Sequence, residues 1–282
     1  MNSEAYGDFK TSWCPGCGNH DVMKALKKTL ASLNLPPHRV AHISGIGQAA
    51  KAPHYINLNG FNGLHGRCLP PAQAVKLSNH ELTVIAESGD GCNYGEGGNH
   101  FLAAIRRNVD MTLLVHNNQI YGLTKGQASP TTMSGHITKS QPNGVFNSAF
   151  NPVAVAVAMR CGFVARGFSG DIDQLSDLMA QAIQHRGFAL IDIFSPCISF
   201  NKINTFGWYK QRCKTLDASY DPTDWDTAMR TAMEFGERIP LGVLYREDKP
   251  ALEDHLPILR GGPLCRQPVD KQTLRDIMAE YC

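Results

Sequence analysis

The sequence lacks a strong excess of charge of either sign. Its 27 Lys and Arg residues nearly balance its 25 Asp and Glu residues, which leaves a formal net charge of +2. Proteins that bind nucleic acid or anionic membranes through electrostatics carry a clear basic patch or excess. The composition therefore gives no support for a nucleic acid or a membrane as a partner.

Long apolar runs are also missing. No uninterrupted apolar segment reaches the roughly 18 residues that a membrane-spanning helix needs. Residues 1–5 show neither the basic flank nor the apolar core of a secretory signal, so we expect a cytoplasmic protein. The 282 residues suffice for one large or two modest domains, and 43% hydrophobic residues with 26 glycines are typical of a globular α/β protein.

Cysteine, by contrast, is abundant, with nine residues. In a reducing compartment they are better interpreted as metal ligands, reactive thiols or core residues than as disulfides.

Cys14 and Cys17 form a CxxC motif whose Pro-Gly pair predicts a tight turn with both sulfurs on one side. A thioredoxin-type redox pair would need a preceding strand, and a zinc site would need a second close pair. An iron–sulfur cluster can take further thiolates from distant positions. The motif alone leaves these three interpretations open.

Two unbroken apolar runs, at 82–86 and 111–115, each predict a strand buried on both faces. The segment 95–107 between them has room for a crossover helix, so the stretch predicts a βαβ unit. Gly-Asp-Gly at 89–91 follows the first run, and Asn117 and Asn118 follow the second. Open parallel sheets bind ligands at these carboxyl ends.

The side chains at these ends suit a magnesium ion. The Asp90 carboxylate, the Asn118 amide oxygen and a backbone carbonyl would fill half of an octahedral shell, and phosphate oxygens and water would complete it. The alternative is an ordinary glycine loop followed by an asparagine turn. If only the Gly-Asp-Gly tripeptide were present, this alternative would be the better interpretation. The paired asparagines after a second strand favour the magnesium interpretation.

Two more predicted strands end at the same edge of the sheet. The run 39–44 leads into Gly-Ile-Gly-Gln at 45–48, and the run 188–194 leads into Ser-Pro-Cys, which ends at Cys197. Cys197 is thus placed where a cluster ligand would be useful, although a lone cysteine is more often a buried structural thiol.

His65 could bind a phosphate or a ring, and Lys125 could meet an anionic substrate. A solvated histidine and a solvent-facing lysine are the commoner cases.

Helical spacing, caps and proline positions predict the remaining elements. Asn19 is expected to cap the first helix, and residues 131–150 predict a long loop. The pattern indicates an α/β fold, a parallel sheet with helices on both faces. The predicted helices are 19–33, 70–77, 95–107, 151–159, 171–182, 226–235 and 272–281, with further strands at 162–167 and 241–245.

Six motifs occur in a fixed order: Cys-Pro-Gly-Cys, Gly-Ile-Gly, His-Gly-Arg, Gly-Asp-Gly, Asn-Asn-x-x-Tyr-Gly-Leu-Thr-Lys-Gly-Gln and Ser-Pro-Cys. Gly-Asp-Gly followed by Asn-Asn resembles the thiamine diphosphate motif. The whole series resembles the β subunit of 2-oxoacid:ferredoxin oxidoreductases over about residues 10–245. The segment 196–205 is most similar to the 2-oxoglutarate branch, and a pyruvate or broad-range 2-oxoacid enzyme is the alternative.

The resemblance implies thiamine diphosphate, Mg²⁺ and one 4Fe–4S cluster. It makes Asp90, Asn118 and the carbonyl of Ile120 the Mg²⁺ ligands, and Lys125 the catalytic residue that meets the substrate carboxylate. The glutamate that activates the cofactor is implied to lie in a partner α subunit. The implied cofactor-binding residues are Ile46, Gly47, Gln48, His65, Gly91, Cys92, Gly122 and Leu123.

One departure from the family pattern concerns the cluster. The family usually has a cysteine where this chain has Gln48, and amides are poor ligands for iron–sulfur chemistry. We expect Cys92 to supply the missing thiolate, beside Cys14, Cys17 and Cys197. Cys68 is the second candidate, and a three-cysteine or absent cluster is the alternative. The remaining cysteines are predicted not to be ligands: Cys161, Cys213, Cys265 and Cys282.

The implied reaction is oxidative decarboxylation of 2-oxoglutarate with coenzyme A and ferredoxin, or the reverse carboxylation of succinyl-CoA. The implied partners are the α subunit, in a heterodimer or a dimer of heterodimers, and ferredoxin. Residues 1–205 are expected to form the thiamine diphosphate- and iron–sulfur-binding α/β domain, and residues 206–282 a C-terminal extension that packs on it or on the partner. Two other functions remain open: a non-oxidative thiamine-dependent decarboxylase subunit and a zinc-stabilised binding module.

Overall fold

The structure, a computed structural model, describes residues 2–281. Its centre is an eight-stranded sheet in the order β2-β1-β3-β4-β6-β5-β8-β7, in which only the pairing of β5 with β8 is antiparallel. The predicted α/β fold with a parallel sheet is thereby confirmed, and the antiparallel strand β8 is the one departure from it. The strands are β1 (Val40–Ser44), β2 (Asn59–Asn62), β3 (Thr83–Gly89), β4 (Met111–Asn117), β5 (Phe163–Phe168), β6 (Phe188–Phe194), β7 (Cys213–Thr215) and β8 (Ile239–Arg246).

Helices cover both faces of this sheet. One hydrophobic cluster joins the sheet to α2, α3, α4 and α7, and a second joins it to α1 and α5. Every residue of β4 and β6 is buried, as expected for central parallel strands between two helical layers. The helices are α1 (Asn19–Ser32), α2 (Leu69–Ser78), α3 (Gly98–Arg107), α4 (Pro152–Ala158), α5 (Ile172–Gln184), α6 (Phe206–Arg212), α7 (Trp225–Met233) and α8 (Lys271–Ala279).

Local sequence signals explain several helix starts. The side chains of Asn151 and Asp171 accept hydrogen bonds from the backbone N–H groups of Ala154 and Gln174, three residues on. The prediction that Asn19 caps α1 is wrong. Asn19 is the first residue of α1, and its side chain bonds to other buried groups instead.

The C-terminal part of the chain extends the same sheet. β8 pairs with β5, and β7 lies outside β8. The last helix, α8, buries none of its residues. Whether residues 206–282 form a separate unit stays a prediction, and Cys282 lies outside the described residues.

Within residues 2–281, no helix combines the length and the apolar character that a membrane crossing requires.

Candidate active site

Two cavities lie at the carboxyl edge of β1, β3, β4 and β6. The first, here called the aspartate cavity, is an open cleft with about 520 Å³ of space between its walls. The second, the cysteine cavity, encloses about 430 Å³. The structure brings the predicted oxygen ligands and cofactor-contacting residues together in the aspartate cavity: Ile46, Gly47, Gln48, His65, Asp90, Gly91, Cys92, Asn118, Ile120, Gly122 and Leu123.

Asp90 is the charged centre of the aspartate cavity. Its Oδ2 accepts hydrogen bonds from the hydroxyls of Ser129 and Thr131, each at 2.6 Å. Burial raises the pKa of Asp90 to about 6, nearby Asp192 adds to the rise, and the two hydroxyls oppose it. Ser129 and Thr131 come from the predicted long loop, and sequence reasoning did not identify them. A buried carboxylate without a cationic partner is a favourable place for a metal ion.

The other oxygen ligands come from a turn after β4. Gln119 adopts the left-handed region at φ 58°, and Asn118 Oδ1 accepts the backbone N–H of Ile120 at 3.0 Å. The side chain of Asn201 donates to the carbonyl of Asn118 at 3.1 Å. This turn holds Asn118 and Ile120 in the wall of the cavity that also contains Asp90. Carboxylate, amide and carbonyl oxygens are a donor set that fits Mg²⁺ with phosphate and water.

Gly91 permits close contact between the loops that follow β3 and β4. A Cβ atom on Gly91 would lie 2.2 Å from Cε1 of Tyr121. The chain then forms a π-helix, Gly91–Glu96, a form that is frequent at functional sites. Tyr121 donates to Glu96 Oε1 at 3.1 Å, and burial followed by the charge of Glu96 raises the pKa of this phenol. Tyr121 and Glu96 line the cavity but were not singled out from the sequence.

A buried polar network joins the three strands β1, β3 and β4, which end at the cavities. The carboxylate of Glu87 accepts hydrogen bonds from His42 and His116, each at 2.8 Å. His116 Nδ1 lies 2.8 Å from Asn19 Oδ1, which also accepts from Ser195 at 3.3 Å. Burial would raise the pKa of Glu87, but the two histidines lower it to about 2. A glutamate inside an otherwise apolar strand was the available sequence signal for this network.

Three cysteines converge on the cysteine cavity. Cys14 and Cys17 precede α1, Cys197 follows β6, and all three line the cavity together with Gln48. Ser199 donates to the sulfur of Cys14 at 3.3 Å. Burial raises the pKa of Cys17 to about 11, and Cys197 and Cys14 add to the rise. The thiol of Cys17 therefore stays neutral until a cation binds.

Cys92 does not line the cysteine cavity, so its expected role as a cluster ligand stays a prediction. It is buried and lines the aspartate cavity, where its sulfur accepts the backbone N–H of Gly66 at 3.3 Å. The sulfur also lies 2.4 Å from where a Cβ atom of Gly45 would be. The physical reason is the π-helix after Asp90, which packs Cys92 against the loop after β1. Cys68, the second candidate, is fully enclosed and contacts the carbonyl of Ile43.

The thiols of the described residues are all free, including those of Cys161, Cys213 and Cys265. Within this part of the chain, no three His, Cys, Asp or Glu side chains are arranged to hold a single metal ion. A four-iron cube is wider than one ion, so its thiolates stand farther apart. Three thiols around one cavity fit such a cluster chemically, but they supply one thiolate fewer than the usual four.

Lys125 lies on the turn that follows the asparagine pair. This turn is closed by hydrogen bonds from Tyr121 N–H to the Gln127 carbonyl and from Gly126 N–H to the Tyr121 carbonyl, at 2.8 and 2.9 Å. Lys125 is exposed, has φ 82°, and lines neither of the two cavities. Its predicted contact with a substrate carboxylate therefore stays a prediction.

Comparison with known proteins places this site in a class. Residues 42–193 match the family described as thiamine pyrophosphate enzyme, C-terminal TPP binding domain. The match covers β2, β3, β4 and β5, most of β1 and β6, and the loops that carry Asp90 and Asn118. By its fold and by this match, the chain belongs to the thiamine pyrophosphate enzymes.

The relatives define a narrower family. Residues 197–261 match the C-terminal region of the pyruvate ferredoxin oxidoreductase beta subunit. The chain is 44% identical over 260 residues to 2-oxoacid:ferredoxin oxidoreductase 1, subunit beta, of Aeropyrum pernix. The aligned region covers 87% of this chain and 82% of the relative. It belongs to the β subunits of the 2-oxoacid:ferredoxin oxidoreductases, as the motif order predicted. Because the chain belongs to this family, it is neither a zinc-stabilised binding module nor a subunit of a non-oxidative decarboxylase.

Two further relatives carry a more specific name. The chain is 41% identical over 194 residues to 2-oxoglutarate oxidoreductase subunit KorB of Mycobacterium tuberculosis, covering 69% of this chain and 52% of that one. It is also similar to a chain in the structure of 2-oxoglutarate:ferredoxin oxidoreductase from Magnetococcus marinus with 2-oxoglutarate, coenzyme A and succinyl-CoA bound. The TM-score is 0.92 at 32% identity, with 98% of this chain and 96% of that chain covered.

Proposed function

We propose that this β subunit serves the oxidative decarboxylation of 2-oxoglutarate, with coenzyme A as acyl acceptor and ferredoxin as electron acceptor, or the reverse carboxylation of succinyl-CoA. The observation that carries the proposal is the shared wall of the two cavities. Gln48, Asn118 and Gly122 line both the aspartate cavity and the cysteine cavity. An electron-accepting group in one would thus lie beside a cofactor in the other.

In the aspartate cavity, Asp90, Asn118 and the carbonyl of Ile120 would bind Mg²⁺, which in turn holds the diphosphate of thiamine diphosphate. When bound, this cofactor supplies the electron sink for loss of CO₂ from a 2-oxoacid. The chain's own residues position it. Ser129 and Thr131 fix the carboxylate of Asp90, and Asn201 fixes the turn that presents Asn118.

In the cysteine cavity, Cys14, Cys17 and Cys197 would bind a 4Fe–4S cluster. Such a cluster accepts electrons one at a time, which a non-oxidative enzyme would not need. The hydroxyl of Ser199 donates to Cys14, and hydrogen bonds to the sulfurs are one means by which a protein sets the reduction potential of a cluster.

The proposed preference for 2-oxoglutarate rests on two supports. The names of the Mycobacterium tuberculosis and Magnetococcus marinus relatives specify that substrate, whereas the Aeropyrum pernix relative is named only for 2-oxoacids. The segment 196–205, most similar to the 2-oxoglutarate branch, is anchored to the cofactor turn through Asn201, whose side chain also bonds to Asn204. Lys125 would meet the substrate carboxylate from the adjacent turn.

The proposal includes a partner α subunit that supplies the activating glutamate. Glu96, the one glutamate in the wall of the aspartate cavity among the described residues, is held by the hydroxyl of Tyr121. We assign it no role as catalytic base.

The test is a comparison of substrates on the complex of both subunits, purified without oxygen. We expect coenzyme A-dependent reduction of ferredoxin, with kcat/KM at least about tenfold higher for 2-oxoglutarate than for pyruvate, about 1.4 kcal/mol in transition-state stabilisation. Asp90→Asn should abolish activity with both. Equal rates would instead indicate a broad-range enzyme. Release of CO₂ without electron transfer would contradict the oxidative reaction.

A further inference from the structure

Gln48 has a buried side-chain oxygen that lacks a hydrogen-bond partner. Oε1 is enclosed and unpaired within the described residues, while the backbone carbonyl of the same residue accepts the indole N–H of Trp13 at 2.7 Å. Leaving a buried polar atom unpaired is unfavourable, because the atom loses its hydrogen bonds to water. A native protein that keeps such an atom usually gives it a role, such as contact with a bound ion.

The surroundings of Gln48 indicate what that partner is. Gln48 lines the cysteine cavity together with Cys14, Cys17 and Cys197, and no fourth described cysteine lines it. Cys92 is held in the aspartate cavity by the backbone of Gly66. The cysteine cavity thus presents three sulfurs and one unpaired amide oxygen.

We infer that three thiolates, from Cys14, Cys17 and Cys197, hold the cluster and that its fourth iron faces Oε1 of Gln48. This inference rests on the iron–sulfur cluster of the proposed function and specifies its ligands. A neutral amide oxygen binds iron more weakly than a thiolate does. The fourth iron is therefore replaceable, in contrast to an iron in a cluster with four thiolates.

The ligand set also changes the charge of the cluster. An amide in place of a thiolate leaves the cluster one unit less negative, and net charge is one determinant of its reduction potential. We expect a higher potential with Gln48 than with a cysteine at this position.

Loss of the fourth iron has a defined stoichiometry. Oxidation of [4Fe–4S]²⁺ by one electron releases Fe²⁺ and leaves [3Fe–4S]⁺, and the electron passes to the added oxidant. With ferricyanide as oxidant, the three-iron product has its own EPR signal. Added Fe²⁺ with dithionite as reductant reverses the step.

The experiment uses the complex of both subunits, purified without oxygen and treated with limited ferricyanide. We expect the wild type to lose one iron in four, to show the three-iron EPR signal and to recover with Fe²⁺ and dithionite. Gln48→Cys should keep its iron, lack the signal and titrate at a lower potential. The cluster of Gln48→Ala should change from the four-iron to the three-iron form at least as fast as that of the wild type. This second variant keeps the test decisive if Gln48→Cys fails to assemble. Cys213→Ser, a half-buried thiol on β7, is the matched control and should behave as the wild type.

Three results would overturn the inference: a wild-type cluster that resists conversion, loss of cluster iron in Cys92→Ser, or complexes that bind thiamine diphosphate but contain no iron. Thiamine diphosphate is measured in the same samples. Its failure to bind would contradict the proposed function, whereas the iron measurements decide the ligand set.

Discussion

His116 Nε2 lies 2.8 Å from Glu87 Oε1, and both side chains are fully buried. Glu87 lies on β3, three residues before Asp90, and His116 lies on the neighbouring strand β4, two residues before Asn118. The pair therefore connects the two strand ends that carry the oxygen ligands. His42 extends the connection to the strand whose loop carries Gln48.

The first prediction concerns stability against pH. The pKa of Glu87 falls from an ordinary 4.5 to about 2 in the fold. Its contribution, about 3 kcal/mol, is therefore complete above about pH 4.5 and disappears as the pH falls through about 2. We expect Glu87→Gln to lower the free energy of unfolding by about 3 kcal/mol near neutral pH, and the difference from the wild type to shrink in acid.

Urea unfolding at several pH values measures this difference. Glu237→Gln is the control, because that side chain is 95% exposed and should shift stability by less than about 0.5 kcal/mol. A gap between wild type and Glu87→Gln that stays constant down to about pH 2.5 would contradict the assignment, since that pH lies well below the ordinary pKa.

The second prediction concerns the hydroxyls that hold Asp90. Ser129→Ala removes one of the two 2.6 Å bonds to Oδ2, so the carboxylate is less well oriented for a metal. We expect Mg²⁺-dependent binding of thiamine diphosphate to weaken about tenfold, the effect usual for groups that orient metal ligands. Calorimetric titration measures it. Ser148→Ala, an exposed position in the same loop, should bind as the wild type does, and unchanged affinity in Ser129→Ala would refute the role.

The third prediction compares two glycines near one another in the chain. A Cβ atom on Gly91 would collide with the ring of Tyr121, whereas one on Gly98 would meet no atom within 4 Å. Gly91→Ala should destabilise the protein by about 1–3 kcal/mol and weaken cofactor binding, and Gly98→Ala should be near neutral. Because the collision is specific, the double variant Gly91→Ala with Tyr121→Ala should show coupling in a thermodynamic cycle. Additive losses would mean that the collision is not the cause.

The fourth prediction concerns Lys125. If its ammonium group binds the substrate carboxylate, Lys125→Gln should raise KM for the 2-oxoacid about tenfold while kcat changes little, since a ground-state contact is lost. Lys210→Gln, on the exposed side of α6, is the control. Steady-state kinetics on the complex of both subunits provides both values. An unchanged KM would remove Lys125 from the site.

The sequence was sufficient for the central sheet because its strands are buried on both faces. The apolar runs at 82–86 and 111–115 correspond to β3 and β4, which extend two or three residues further. β2 and β7 were missed for the opposite reason. All four residues of β2 are exposed and polar or glycine apart from Phe61, so no periodic pattern marks that strand.

The site was predictable at the level of loops but not of side-chain direction. Parallel strands place their carboxyl ends at one edge, which brought Asp90, Asn118 and Cys197 to the same region. The direction of the Cys92 side chain was not predictable, because the π-helix that turns it towards Gly66 has no simple sequence signature. Ser129 and Thr131 reach Asp90 from a loop about forty positions later, a contact that depends on tertiary packing.

Gln48, Asn118 and Gly122 each face both cavities, so they form a partition between them. Any change of size or polarity at these three positions alters both compartments at once. Redesign of this subunit for another substrate or electron acceptor will therefore require compensating changes on the two sides, selected as pairs rather than one by one.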